Sequence, residues 1–343
     1  MWLTGPRQVA VREGPAPVAG PGEVLVATAR SAISSGTELL VYRGLVPDGM
    51  PLDASLPALK GQATFPLHYG YAAVGAVAVA GPGVDPAWAG RRVFAFHPHA
   101  SCFVAVADEL VALPDELADE AAALLPTLET AVTLLMDGQP SIGERVVVVG
   151  QGIVGLATTA LLAGLPLARL VTLDRHPLRR RASLDLGASE SLDPAAGDTP
   201  SRLAALLAGD GGPDGADLVF ELSGSAAGLD QALELVGFGG RVVVGSWYGR
   251  EPVALHLGGR FHRGRTRLVA SQVSTLAPEH SGRWTKGRRL QTALAALARF
   301  PAARLITHRF PVGRAAEAYA LLDERPHEAI QVLLTYDRAP GLT

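Results

Sequence analysis

Between Arg145 and Arg169 the chain runs for 23 residues without a charge, and this stretch constrains the fold more than any other. Its length would cross a bilayer. Its interior is wrong for a span: Val146-Val147-Val148-Val149 breaks at Gly150-Gln151-Gly152-Ile153-Val154-Gly155, and Gly164 and Pro166 follow. Four β-branched residues that stop at a glycine turn read as a buried strand, and the apolar residues beyond the turn read as a helix. Strand, tight turn and helix together begin a βαβ unit, so a parallel sheet covered on both faces is expected around this segment.

In that context GxGxxG is a dinucleotide fingerprint and not a chance spacing. Gly150 lets the chain leave the strand, Gly152 admits a pyrophosphate close to the backbone, and Gly155 lets helix and strand pack. The N–H groups and positive dipole end of the helix starting at Ile153 and Val154 face the phosphates, and Gln151 completes the loop. The alternative is a glycine-rich turn without a ligand, which leaves the joint occurrence of strand, spacing and helix unexplained. Asp174 lies 24 positions beyond Gly150, at the end of the next predicted strand. A carboxylate there accepts from the ribose hydroxyls and repels a 2′-phosphate, which favours NAD over NADP. Arg175 and Arg179 keep the opposite reading open, since they would embrace a 2′-phosphate. Arg180 and Arg181 are expected to be a solvated helix start.

The rest of the chain divides around this unit. Short β segments at 24–26, 74–79 and 93–96, punctuated by Gly and Pro, predict a β-rich, barrel-like domain before it. A helix from Asp115 or Asp119 to Leu125 is expected to break at Pro126, with a second helical stretch at 130–136. From 146 strands alternate with helices: strands at 146–149, 170–174, 218–222, 241–246 and 267–271, helices at 153–163, 179–186, 202–207 and 229–236. After Thr275 the pattern changes again, with helices at 288–298 and 314–322 and extended segments at 305–310 and 330–335. The expected division is 1–125, 126–274, and 275–343 returning to the first domain. An apolar fraction of 48% supplies a core, and a net charge of −3 without any run of five like charges excludes a nucleic-acid footprint or a polybasic membrane anchor. The N-terminal residues lack the order of a secretion signal, so a soluble cytoplasmic protein is expected. One cysteine, Cys102, excludes an internal disulfide and any metal site needing two thiolates from one chain.

Several motifs go further. Leu186-Gly187-Ala188, Phe220-Glu221-Leu222-Ser223-Gly224, Gly239-Gly240-Arg241-Val242-Val243-Val244-Gly245 and Leu305-Ile306-Thr307-His308-Arg309-Phe310, in this order around the fingerprint, resemble the medium-chain dehydrogenase/reductase superfamily, the zinc-type alcohol dehydrogenase-like proteins. The resemblance covers nearly the whole chain. It implies a GroES-like β-rich catalytic domain carrying an inserted Rossmann-type, doubly wound α/β domain. It adds Ser223, Gly245, Ser246 and Gln272 to the residues expected around the cofactor. It implies a homodimer paired through the strand at 267–271.

The resemblance also identifies what is missing. Where zinc-dependent relatives carry a cysteine, this chain has Ser34 in Ile33-Ser34-Ser35-Gly36-Thr37-Glu38. Where they carry histidine and glutamate it has Tyr71 and Ala72, and the third region, 125–131, holds no cysteine. Hydroxyls are poor zinc ligands beside thiolate and imidazole, so no metal is expected. Ser35-Gly36-Thr37-Glu38, Gly70 through Gly75, Glu129-Thr130-Ala131 and Gly245-Ser246-Trp247-Tyr248-Gly249 are most similar to a zinc-lacking subgroup related to bacteriochlorophyllide hydroxyethyl dehydrogenases, from which no substrate follows.

Without a Lewis acid, a side chain must polarise the reacting oxygen. The resemblance turns Tyr71 toward the nicotinamide, as proton donor or as an aromatic filling the metal's space. Thr37 resembles the family's hydroxyl relay. His97 is a second candidate, with an imidazole titrating near neutrality. His97, His99 and Cys102 alternatively form an improvised metal site or a surface hairpin with solvated histidines. Glu129 either lines the site or complements a helix dipole. Trp247 and Tyr248 are candidates for an apolar lid. The leading expectation is a zinc-independent NAD(P)-dependent oxidoreductase interconverting a secondary alcohol and its ketone. The alternatives are an NADPH-dependent enoyl or quinone reductase, and a dinucleotide-binding scaffold or sensor without turnover.

Overall fold

The computed structural model describes residues 1–47, 49–53, 55–209 and 214–337. The chain forms two units, Met1–Pro126 with Pro301–Thr343, and Thr127–Phe300. The expected return at 275 therefore moves to Pro301. The helix Lys286–Leu297 belongs to the inserted unit because Arg289, fully buried on it, pairs with Glu129 of the same unit.

The inserted unit is a six-stranded, all-parallel sheet. Its spatial order is Glu190–Leu192, Arg169–Leu173, Arg145–Val149, Ala216–Glu221, Val236–Val244, Arg267–Ala270. Counted along the chain this is 3-2-1-4-5-6, the Rossmann order, with the direction of winding reversed between the first and fourth strands. The valine run explains itself in this setting. Val147 and Val149 join one apolar cluster with Val171, Leu173, Val219 and Val242. Val146 and Val148 join another with Leu170, Leu218, Phe220 and Val243. A strand covered on both faces needs apolar residues at every position, which is why alternation is absent here.

The other unit is a seven-stranded sheet organised on one long strand, Glu23–Ile33. That strand pairs antiparallel with Ala73–Ala80, with Cys102–Val106 along its first half and with Gln331–Thr335 along its second, and its pairing with Ala73–Ala80 is interrupted by two register shifts. Such irregularities bend a strand, which lets one strand serve three neighbours. Ile306–Pro311 adds to Gln331–Thr335 in parallel, so the C-terminal return is hydrogen-bonded into the sheet. Val24, Val26, Val77, Val93 and Phe103 fill the interior.

Two local expectations change. The helix before 126 is only Asp119–Ala122, and Pro126 does not end a helix but lies at the second position of Leu125–Gly138. Proline is at home there because first-turn N–H groups have no intrahelical acceptor. Among the described residues no helix is long and apolar enough to cross a membrane.

Candidate functional site

The loop expected to bind a dinucleotide is built from backbone. Gly150 has φ +92°, and a Cβ there would lie 2.6 Å from the Ser223 backbone. A Cβ on Gly155 would lie 2.0 Å from the Gly150 carbonyl oxygen. Both positions exclude any larger residue. Gly152 is different: a Cβ there meets nothing within 4 Å, and no side chain caps the helix Ile153–Leu162 that it opens. An uncapped helix start beside open space at Gly152, at the carboxyl end of the first strand, is the kind of backbone cradle that suits a pyrophosphate. Leu222 N–H donates to the Val149 carbonyl at 2.8 Å, joining the two strand ends at the point where the winding reverses.

Side chains hold this loop from behind. Gln151 is fully buried and turned into the protein, donating from Nε2 to the Gly150 carbonyl at 3.1 Å and accepting from Thr159 at 3.0 Å. Asp174 accepts the Gln151 backbone N–H at 2.8 Å on one oxygen and the His176 N–H at 2.8 Å on the other. Arg175 beside it is exposed, while burial lowers the pKa of Arg179 and the Asp174 charge opposes that shift. Arg180 is not a solvated arginine. Its Nη1 donates to the Asp174 and Arg175 carbonyls and pairs with Asp193 at 3.0 Å.

Residues expected around the cofactor on the other strand ends are tied to one another. Ser223 donates both its N–H and its hydroxyl to the fully buried Glu221, and Ser246 Oγ accepts from Gly224 N–H at 2.9 Å. Gly245 donates to the Glu221 carbonyl at 3.0 Å, and a Cβ on it would collide with Leu222 and Leu134. Gln272 folds back on Ser274. Tyr248 is not an apolar lid, because its hydroxyl donates to Glu221 and its ring packs on the inserted unit's core. The motif contains Glu221, but the role of that carboxylate as acceptor for Ser223 and Tyr248 was not legible in it.

Glu129 lies on the helix Leu125–Gly138, outside its first turn, so it does not complement the helix dipole. It accepts Arg289 Nη2 at 2.8 Å and Nε at 3.2 Å, and burial raises its pKa against the pull of that guanidinium. Arg289 also donates to the Thr275 carbonyl, so the pair fastens the 275–289 segment to the helix.

In the other unit three candidates meet. The Tyr71 hydroxyl donates to Ser34 Oγ, and the Thr37 hydroxyl reaches the same phenol. All three side chains are partly buried. Burial pushes the Tyr71 phenol up to about 12, with the Ser34 and Thr37 hydrogen bonds working against it. Tyr71 therefore carries its proton throughout the physiological range.

His97 departs from the expected neutral titration. Burial pushes it down to about 4, its ring stacks on Phe103 at 4.0 Å, and Nδ1 donates to the Pro98 carbonyl at 2.9 Å. It is an uncharged ring whose Nε2 is an acceptor. His99 is not on a solvated hairpin but fully buried, with both ring nitrogens engaged by Glu38 and Ser31. Two histidines committed in this way do not converge with Cys102, and among the described residues no group of three His, Cys, Asp or Glu could hold a metal. The positions that resemble zinc-ligand sites offer hydroxyls bonded to each other, a donor set that does not fit zinc.

The family described as zinc-binding dehydrogenase matches residues 153–285. The chain is 29% identical over 242 residues to 5-exo-hydroxycamphor dehydrogenase of Pseudomonas putida, an alignment covering 69% of this chain and 62% of that protein. It thus spans about three fifths of that relative's length. Among solved structures, an alcohol dehydrogenase of Escherichia coli CFT073 complexed with NADH is similar with a TM-score of 0.76 at 20% identity, over 97% of this chain and 98% of the other. A zinc-binding dehydrogenase of Sinorhizobium meliloti 1021 bound to NADP is similar with a TM-score of 0.73 at 22% identity, over 97% and 98%. At these identities the likeness to the solved structures is one of fold.

Proposed function

We propose that this chain, which belongs to the medium-chain dehydrogenase/reductase superfamily, is an NAD(P)-dependent oxidoreductase that interconverts a secondary alcohol and its ketone without zinc. The observation that carries the reading is the hydroxyl cluster of Tyr71, Ser34 and Thr37, in which Ser34 and Tyr71 stand at positions that resemble zinc-ligand sites. The nicotinamide supplies or accepts the hydride. Gly150, Gly152 and Gly155 with the N–H groups of Ile153 and Val154 would hold the pyrophosphate, and Asp174 the ribose.

The protein's own residues then manage one proton. A carbonyl oxygen gaining a hydride becomes an alkoxide, a far stronger base than a phenolate, so proton transfer from neutral Tyr71 through Ser34 runs downhill. Hydrogen bonds from the same hydroxyls stabilise the charge as it develops on that oxygen. His97, uncharged and accepting at Nε2, suits a base or an orienting acceptor and does not suit a cationic acid. Asp174 favours NAD, by accepting from a ribose hydroxyl and repelling a 2′-phosphate. A homodimer would form through the strand Arg267–Ala270, whose Leu268 is 43% exposed and whose outer edge has no strand partner among the described residues. Sedimentation of wild type and Leu268→Lys tests it, a single monomeric species in wild type being the contrary result.

The decisive assay follows NADH and NADPH oxidation against a panel of ketones and enones, with zinc measured on the same sample. Ketone reduction, preference for NADH and substoichiometric zinc are expected. Stoichiometric tightly bound zinc would sink the metal-free mechanism, and enone turnover with an NADPH preference of about tenfold or more, ~1.4 kcal/mol, would favour the C=C reductase. Bound cofactor with no turnover on any substrate would favour a sensor.

A further inference from the structure

The buried polar groups of the first unit converge on one carboxylate. Glu38 is fully buried, and both of its oxygens are used. One accepts the Ser34 backbone N–H at 2.8 Å, and the other accepts His99 Nε2 at 3.0 Å and the Tyr319 hydroxyl. On the other side of the imidazole, Nδ1 meets Ser31 Oγ at 2.7 Å, and Ser31 Oγ meets the Tyr336 hydroxyl at 2.8 Å. With Nε2 donating to Glu38, Nδ1 accepts from Ser31 and Ser31 accepts from Tyr336, so every proton has a partner. The order serine, histidine, glutamate is that of a hydrolase triad. Ser31, His99 and Glu38 are all fully buried, however, and no substrate reaches that serine.

What the pair does reach is both ends of the Tyr71–Ser34 hydrogen bond. Glu38 holds Ser34 through its N–H. His99 holds the segment before Tyr71: its backbone N–H donates to the Tyr69 carbonyl at 3.1 Å, and its ring packs against Gly70. Gly70 has φ +105°, and a Cβ there would lie 2.5 Å from the imidazole. The two hydroxyls come from positions 37 residues apart, so nothing local keeps them in hydrogen-bonding distance. We propose that Glu38 and His99 are positioning residues for the Tyr71–Ser34–Thr37 cluster. The carboxylate sets the loop carrying Ser34, the imidazole it orients sets the segment carrying Tyr71, and Tyr319 fixes the carboxylate from the C-terminal return. Supporting residues of this kind keep reacting groups within the small tolerance that catalysis allows.

The inference rests on the reading of that cluster as the proton source, and its test separates the two. Glu38→Gln keeps the shape but replaces an acceptor oxygen with a donor. Its kcat is expected to fall about 10- to 100-fold, the scale of an ångström's misplacement, with KM for NADH unchanged. In ring-13C-tyrosine spectra the Tyr71 resonance, assigned by its absence in Tyr71→Phe, is expected to move. In a Tyr71→Phe background, Glu38→Gln should cost little more than Tyr71→Phe alone, because both act on one step. Tyr319→Phe removes one donor to Glu38 while leaving the ring in place. It should shift the same readouts by less, and it carries the test if Glu38→Gln does not fold. An unmoved Tyr71 resonance in a folded variant, or losses that multiply in the double variant, overturns the inference. If Tyr71→Phe keeps full turnover, the proton-source reading fails instead, and the Tyr71 resonance still decides whether Glu38 positions it.

Discussion

The two units make their proposed functional surfaces from different materials. In the 127–300 unit the proposed nucleotide seat is main chain: glycines without a Cβ and a helix start that no side chain caps, with side chains such as Gln151 turned inward to brace them. In the other unit the proposed reactive surface is side-chain hydroxyl, and its proposed bracing comes from a buried carboxylate and imidazole. A seat made of backbone fails by steric collision. A cluster made of hydroxyls fails by loss of one oxygen while the fold survives.

The largest expected effect breaks the backbone side of this contrast. Gly155→Ala drives a methyl into the Gly150 carbonyl, and a displacement of that loop costs roughly 4 kcal/mol or more. NADH binding should be undetectable by titration calorimetry, and retained affinity would show that the turn tolerates what its geometry forbids. Tyr71→Phe comes next. It should leave the NADH dissociation constant unchanged while lowering kcat about 10²- to 10⁴-fold, the usual contribution of a positioned acid. Equal losses in binding and turnover would abolish the distinction between the two surfaces.

Asp174→Asn is milder, because the amide still accepts one of the two backbone N–H groups. NADH should bind about tenfold more weakly and the gap to NADPH should narrow, as fluorescence titration with both cofactors would reveal. The smallest effect concerns acid stability. His97 is held near 4 in the folded chain, below its ordinary 6.5, so the unfolded chain takes up the proton first. Its contribution is complete above about pH 6.5 and is lost as pH falls towards about 4. His97→Gln should flatten the decline of Tm across that window, and an unchanged slope would place the acid sensitivity elsewhere.

The same contrast explains what could be read from the residues alone. The glycine spacing, the valine run and Asp174 lie within 30 positions, and their geometry is imposed by neighbours in the chain. Strand–helix alternation was equally legible, since both-face burial writes itself as unbroken apolar runs. Tyr71, Ser34 and Thr37 were nameable as residues, but their meeting was not. Glu38, His99, Ser31, Tyr319 and Tyr336 form one network across separations of 61, 68, 281 and 305 positions, which no local pattern encodes. Glu129 misled for the same reason: a carboxylate near a helix start looks like a dipole partner until Arg289, 160 positions later, is brought against it. The shift at His97 depends on a Phe103 stack and on burial, neither of which a His-Pro-His string announces.

The strand Gln331–Thr335, hydrogen-bonded to Glu23–Ile33, gives the molecule a direction in time. Domains tend to form as units while the ribosome is still working. The 127–300 unit has all its strands in one continuous stretch, and it is free to fold as it emerges. Residues 1–126 must wait, holding one edge of their central strand open and leaving Glu38 without its Tyr319 donor until Tyr319 and the last strand are synthesised. The proposed nucleotide seat is therefore finished before the hydroxyl cluster proposed to act with it. The nascent chain carries an exposed strand edge throughout that interval, a surface for chaperones to cover or for a second nascent chain to invade.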